Sequence, residues 1–106
     1  MDERSDAERL LTLLSDKPTT RLYLSLHLGI TERKVERLIA ELRDAGEPIC
    51  SNSETRGYWL STGADLTRTI KEMEHRALQV LQRARKMKDR QLEGQVEYHE
   101  KDETIY

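Results

Sequence analysis

The side chains able to do covalent or metal chemistry in this 106-residue chain are few and scattered. His27, His75 and His99 stand far apart, and no H-E-x-x-H run occurs, so no pair has the one-turn spacing at which a helix offers two imidazoles to one ion. Each reads as an ordinary exposed or half-buried histidine. Cys50 is the only cysteine, which excludes an internal disulfide and a cysteine-based metal cluster and fits a reducing compartment. It falls in a β-prone run with no basic neighbour in sequence to favour its thiolate, so a buried structural thiol is expected. The glycines at 29, 46, 57, 63 and 94 match neither nucleotide-binding loop. No catalytic residue, metal ligand or cofactor is expected, and the chain does not read as an enzyme.

The chemistry that remains is charge. Charged residues make up 36% of the chain, against roughly 25% in typical globular proteins. Apolar residues make up 36%, with one tryptophan and no phenylalanine, enough for one small core and too little for a deep enclosed pocket. The net charge of −2 is not the basic profile of a nucleic-acid binder, but it is an average over unlike parts. Between 66 and 92, eight bases stand against three acids; from 93 to 106, five acids stand against Lys101. No apolar run reaches the roughly 18 residues of a membrane span. The charged start MDERSDAE has no apolar signal-peptide core. A cytoplasmic location without membrane contact is expected.

Local signals then give the elements that must carry these charges. Ser5 and Glu8 form a capping box, and Leu10, Leu11 and Leu14 give a first helix to about Ser15, stopped by Lys17-Pro18. Thr19-Thr20 is β-prone and then caps a second helix from Arg21 to Leu28, broken by Gly29. Thr31 caps a third, about 32–45, whose Val35, Leu38, Ile39 and Leu42 keep helical spacing. Gly46, with Pro48 beyond it, closes that helix. Ile49-Cys50-Ser51 and Tyr58-Trp59-Leu60 flank a polar stretch and make a hairpin, with Trp59 turned inward. A last helix runs from near Thr62–Asp65 to about Leu92. The fold class is therefore α+β, mainly α. The chain divides into a domain at 1–62, a long helix at 63–92, and an acidic tail at 93–106 expected to be disordered.

Around Gly29 the positions fall into a pattern. Leu24 and small Ser25 precede it by five and four residues and Leu28 by one, while Ile30, Val35 and Leu38 follow. Two helices crossing closely at a turn need a residue tolerant of positive φ, a small side chain at the crossing, and apolar residues facing one core. On these residues, with the segment Val35–Gly46, Ile49 and Gly57-Tyr58-Trp59-Leu60, the chain resembles the winged helix-turn-helix domain of biotin operon repressor-like proteins, a group of small bacterial and phage regulators. The resemblance covers about residues 5–62. It implies three helices and a β-hairpin wing, and binding to double-stranded DNA with the third helix in the major groove.

On that resemblance the outward residues of the third helix are Thr31, Glu32, Arg33, Lys34, Glu36, Arg37 and Glu41. Arg33 and Arg37 have the chemistry to read guanine edges, and Lys34 suits phosphate. Glu32 or Glu36 could accept from cytosine N4 or simply repel the backbone. Thr20 and Arg21 fall where the second helix meets phosphates, and Arg56 lies on the wing. From 31 to 43 the bases outnumber the acids only four to three, a weak polyanion footprint. The alternative is a winged-helix adaptor that binds protein and not DNA.

Along the last helix Leu66, Ile70, Met73, Ala77, Val80, Ala84 and Met87 step by fours and threes, a heptad seam that Leu78 and Leu81 widen. So small a domain cannot cover it, so a homodimer is expected through Ile70, Met73, Ala77, Val80, Leu81, Ala84 and Met87. The first turns would pack on the first helix and the later turns on the partner. The tail segment Gln95–Tyr98 is a candidate docking peptide for another protein.

Overall fold

The computed structural model describes residues 4–52, 54 and 57–98, the last four by their backbone alone. It is an α+β structure, mainly α, of four helices and one three-stranded antiparallel sheet. In chain order these are α1 (Asp6–Leu13), β1 (Thr19–Thr20), α2 (Arg21–Leu28), α3 (Glu32–Asp44), β2 (Ile49–Asn52), β3 (Gly57–Leu60) and α4 (Ala64–Tyr98). The chain separates into two compact units, Met1–Ile70 and Lys71–Tyr106.

Each of the first three helices begins at a hydroxyl. Ser5, Thr20 and Thr31 accept from the backbone N–H of Glu8, Tyr23 and Lys34 at 3.2, 3.1 and 3.0 Å, satisfying donors that a first turn leaves unpaired. At Ser5 the box closes differently from expectation. The serine hydroxyl donates to the Glu8 carboxylate at 3.3 Å. Helix α1 stops at Leu13, two positions before its expected end. Leu14 is already extended, which carries the chain out ahead of Pro18. At the end of α3, Gly46 adopts φ +93°. Its N–H donates to the Arg43 carbonyl and that of Glu47 to the Leu42 carbonyl, the paired closure that a left-handed residue permits.

Thr19-Thr20 is more than a β-prone lead into α2. It forms a third strand, pairing Thr19 with Tyr58 and Thr20 with Gly57, so the sheet order is β1-β3-β2. The hairpin pairs Cys50 with Trp59 in its centre, both buried. Leu10, Leu24, Val35, Ile39 and Ile49 are the most enclosed aliphatic side chains of a core shared by α1, α2, α3 and β2. Burying each stabilises the fold by about 1.5–3 kcal/mol. Helix α1 packs principally on α2 and α3; the start of α4 is tied instead to β3, where the Trp59 indole N–H donates to the Asp65 carboxylate at 3.0 Å.

In the second unit α4 continues as one helix. It does not end at Leu92 but passes through Gly94 to Tyr98, because a single glycine costs a helix only about 1 kcal/mol. The first residues assigned to the tail are thus helical, and 99–106 lie outside the described residues. Every residue from 71 to 93 is exposed. No helix among the described residues is long and apolar enough to cross a membrane.

Candidate functional site

The site is built around the turn between α2 and α3. Gly29 sits there at φ +69°, ψ +34°, a left-handed conformation that side chains with a Cβ disfavour by about 1–2 kcal/mol. Ser25 does more than make room for the crossing. Its carbonyl accepts from the Ile30 N–H at 3.1 Å, and its hydroxyl donates back to the Ile30 carbonyl at 2.5 Å. One small residue thus satisfies both polar groups of Ile30, and Thr31 immediately caps α3.

The outer face of α3 sorts its charges into two sets. Arg21, at the start of α2, donates from Nε to the Glu32 carboxylate at 3.1 Å and from Nη1 to the Glu36 carboxylate. Lys34 reaches the other way, pairing with Asp6 of α1 at 2.9 Å, while Arg9 approaches the same carboxylate at 3.4 Å. The Lys34 hydrogen bond and charge, then Arg9, hold the Asp6 carboxyl below its ordinary value. Four of the residues expected to face a ligand, Arg21, Glu32, Lys34 and Glu36, are therefore engaged within the protein. Thr20 and Thr31 serve as caps.

Arg33 and Arg37 are different. Both are exposed, and neither has an acidic partner among the described residues. They lie one turn apart on α3 and, with Thr31 and Lys34, line a shallow depression at its N-terminal half. Arg56 lies outside the described residues. Glu41 is exposed farther along the helix.

Two residues of this region were not legible in the sequence. Arg43, counted only as one more base, donates from Nε to the Ile49 carbonyl at 3.0 Å and from Nη2 to the Ser51 hydroxyl at 3.1 Å, fastening the last turn of α3 to β2. Tyr58 lies half-buried beside the Arg21–Glu36 pair. Its burial first, and the Glu36 charge second, push its phenol up from its ordinary value, against the pull of Arg43 and Arg21. A basic residue in the last turn of a helix just ahead of a strand is the signal that points toward the Arg43 role.

Elsewhere, the His27 ring stacks on Tyr23, with centroids 5.5 Å apart and planes 17° from parallel. Cys50 is buried, its thiol 3.8 Å from the Ser61 carbonyl. Among the described residues no three His, Cys, Asp or Glu side chains gather as a metal ion requires. On α4, the seam residues Ile70, Met73, Val80, Leu81 and Met87 are exposed, as are Ala77 and Ala84.

No family model matches the chain, and neither the curated proteins nor the solved structures contain a match to it.

Proposed function

We propose that this chain is a double-stranded DNA-binding protein of the winged helix-turn-helix type, a small regulator of the bacterial or phage kind, acting as a homodimer in the cytoplasm. The observation that carries the reading is the pair of exposed guanidinium groups, Arg33 and Arg37, which share one face of α3 and have no acidic partner among the described residues. One turn of helix separates them by about 6 Å, close to two base-pair steps of roughly 3.4 Å, a spacing suited to two guanine edges in a major groove. The element order, the hydrogen-bonded turn at Gly29 and the strand β1 against the hairpin agree with that reading. The exposed seam of α4 supports the dimer, which would place two reading helices on a pseudo-palindromic site.

A second reading has its own observation. Leu22, Tyr23 and Leu26 are exposed on α2, Leu26 by 74%, which favours a protein partner on that face. An adaptor without DNA contact would use it.

Titration of duplex DNA of random sequence at two salt concentrations separates the readings. Binding is expected to weaken with salt, as phosphate contacts require. The Arg33→Ala/Arg37→Ala variant is expected to lose selectivity between sequences, at a cost of about 1–3 kcal/mol for each lost base contact. Absence of binding at low salt overturns the DNA reading.

A further inference from the structure

A helix that meets a polyanion is poorly served by Glu32 and Glu36 on its outer face, and the arrangement around them shows where their charge goes. We infer that Arg21 is the positioning residue of the proposed DNA interface: it holds both carboxylates toward α2, leaving Arg33 and Arg37 to meet the duplex and making guanine the base they read. The inference rests on the DNA-binding reading and assigns Arg21 a role other than the phosphate contact expected from the sequence.

Glu32 and Glu36 are one turn apart, a spacing at which like charges repel. The Arg21 guanidinium bridges them, Nε to one and Nη1 to the other. Its planar fork suits two carboxylates in a way that a lysine ammonium, a single point charge, does not. The arginine starts from a fixed place, because Thr20 before it both pairs with Gly57 in the sheet and caps α2. Arg21 engages one oxygen of each carboxylate, Oε1, and offsets charge that would otherwise repel phosphate. Oε2 stays open, so whether Glu32 or Glu36 also reads cytosine N4 is decided by the glutamine variants. Arg33 and Arg37 keep their donors for guanine O6 and N7.

Exposed ion pairs add little to stability, so Arg21→Gln is expected to fold as the parent does, with its effect falling on binding. The test is an anisotropy titration of G·C-containing and A·T-only duplexes at about 50 and 200 mM salt. It compares the unaltered protein with R21Q, R21K and the triple variant R21Q/E32Q/E36Q. R21Q is expected to lose about tenfold or more in affinity and R21K to recover only part of that loss. The triple variant is expected to return to within about threefold of the unaltered protein, keeping its salt dependence and its preference for G·C-containing duplexes.

A triple variant as weak as R21Q, with a salt slope lower by about one, would mean that Arg21 touches phosphate itself and would overturn the inference. R21Q binding as well as the parent would overturn it too. Should R21Q fail to fold, E32Q/E36Q decides, since loss of two negative charges from the face is expected to tighten binding several-fold. Weaker binding, or loss of the G·C preference, would show that the glutamates read bases. Absence of duplex binding by the unaltered protein removes the DNA reading and this inference together, an outcome distinct from a normal R21Q.

Discussion

Thr69 carries a buried hydroxyl with no hydrogen-bond partner among the described residues, in a side chain only 2% exposed. Such a group forfeits its hydration and receives nothing in return, at a cost of about 1–3 kcal/mol. Valine has nearly the same shape without the oxygen. Thr69→Val is therefore expected to stabilise the first unit by about 1 kcal/mol, raising the thermal midpoint by roughly 4–8 °C for a domain of this size. A lower midpoint in calorimetry would show that the hydroxyl has a partner after all. The contrast with Ser25 is instructive, because both are buried hydroxyl residues, yet Ser25 donates to the Ile30 carbonyl. Nothing in the residue types distinguishes the two cases; the backbone around each decides.

At the scale of elements, α1 and α3 are joined by the Lys34–Asp6 pair, and the lowered Asp6 carboxyl makes that tie dependent on pH. A depressed carboxyl stabilises the folded state fully above its ordinary value of 3.8 and loses that contribution as pH falls through the folded value. Asp6→Asn is accordingly expected to melt below the parent at neutral pH, with the gap closing under acid, below about pH 4. A gap constant from neutral to acid pH would show that the pair contributes nothing. Helix α4 makes a different demand. A helix whose residues from 71 to 93 are all exposed gains little from packing within its own chain, and isolated helices in water are marginal. Light scattering at micromolar concentration is expected to give twice the 12.4 kDa of one chain, and Val80→Asp to return it to the single mass by placing a charge in the seam. A parent of single mass would refute the dimer. The elements themselves were legible wherever the signal was local, as at the Ser5, Thr20 and Thr31 caps and the glycines at 29 and 46. What escaped was the pairing of residues distant in sequence. Arg21 with Glu32, or Lys34 with Asp6, leaves no periodic trace, because an exposed charge carries no address for its partner.

Across the whole molecule, the near-neutral total charge conceals two kinds of bases, those answered by an acid and those left open. The sequence gives their number. Only the fold tells that, among the described residues, Arg21 and Lys34 belong to the first kind and Arg33 and Arg37 to the second. The candidate site was thus legible as a stretch of chain, while the division of labour within it was not. The Trp59–Asp65 hydrogen bond has one more consequence, an optical one. The chain has a single tryptophan, and it is enclosed where β3 meets the first turn of α4. Its emission therefore follows the opening of the first unit alone, whereas the far-ultraviolet circular dichroism is weighted toward the 35 residues of α4. Denaturation curves recorded by the two signals would superimpose for one cooperative transition and separate for two. The protein thus carries a built-in probe of whether its two units melt together.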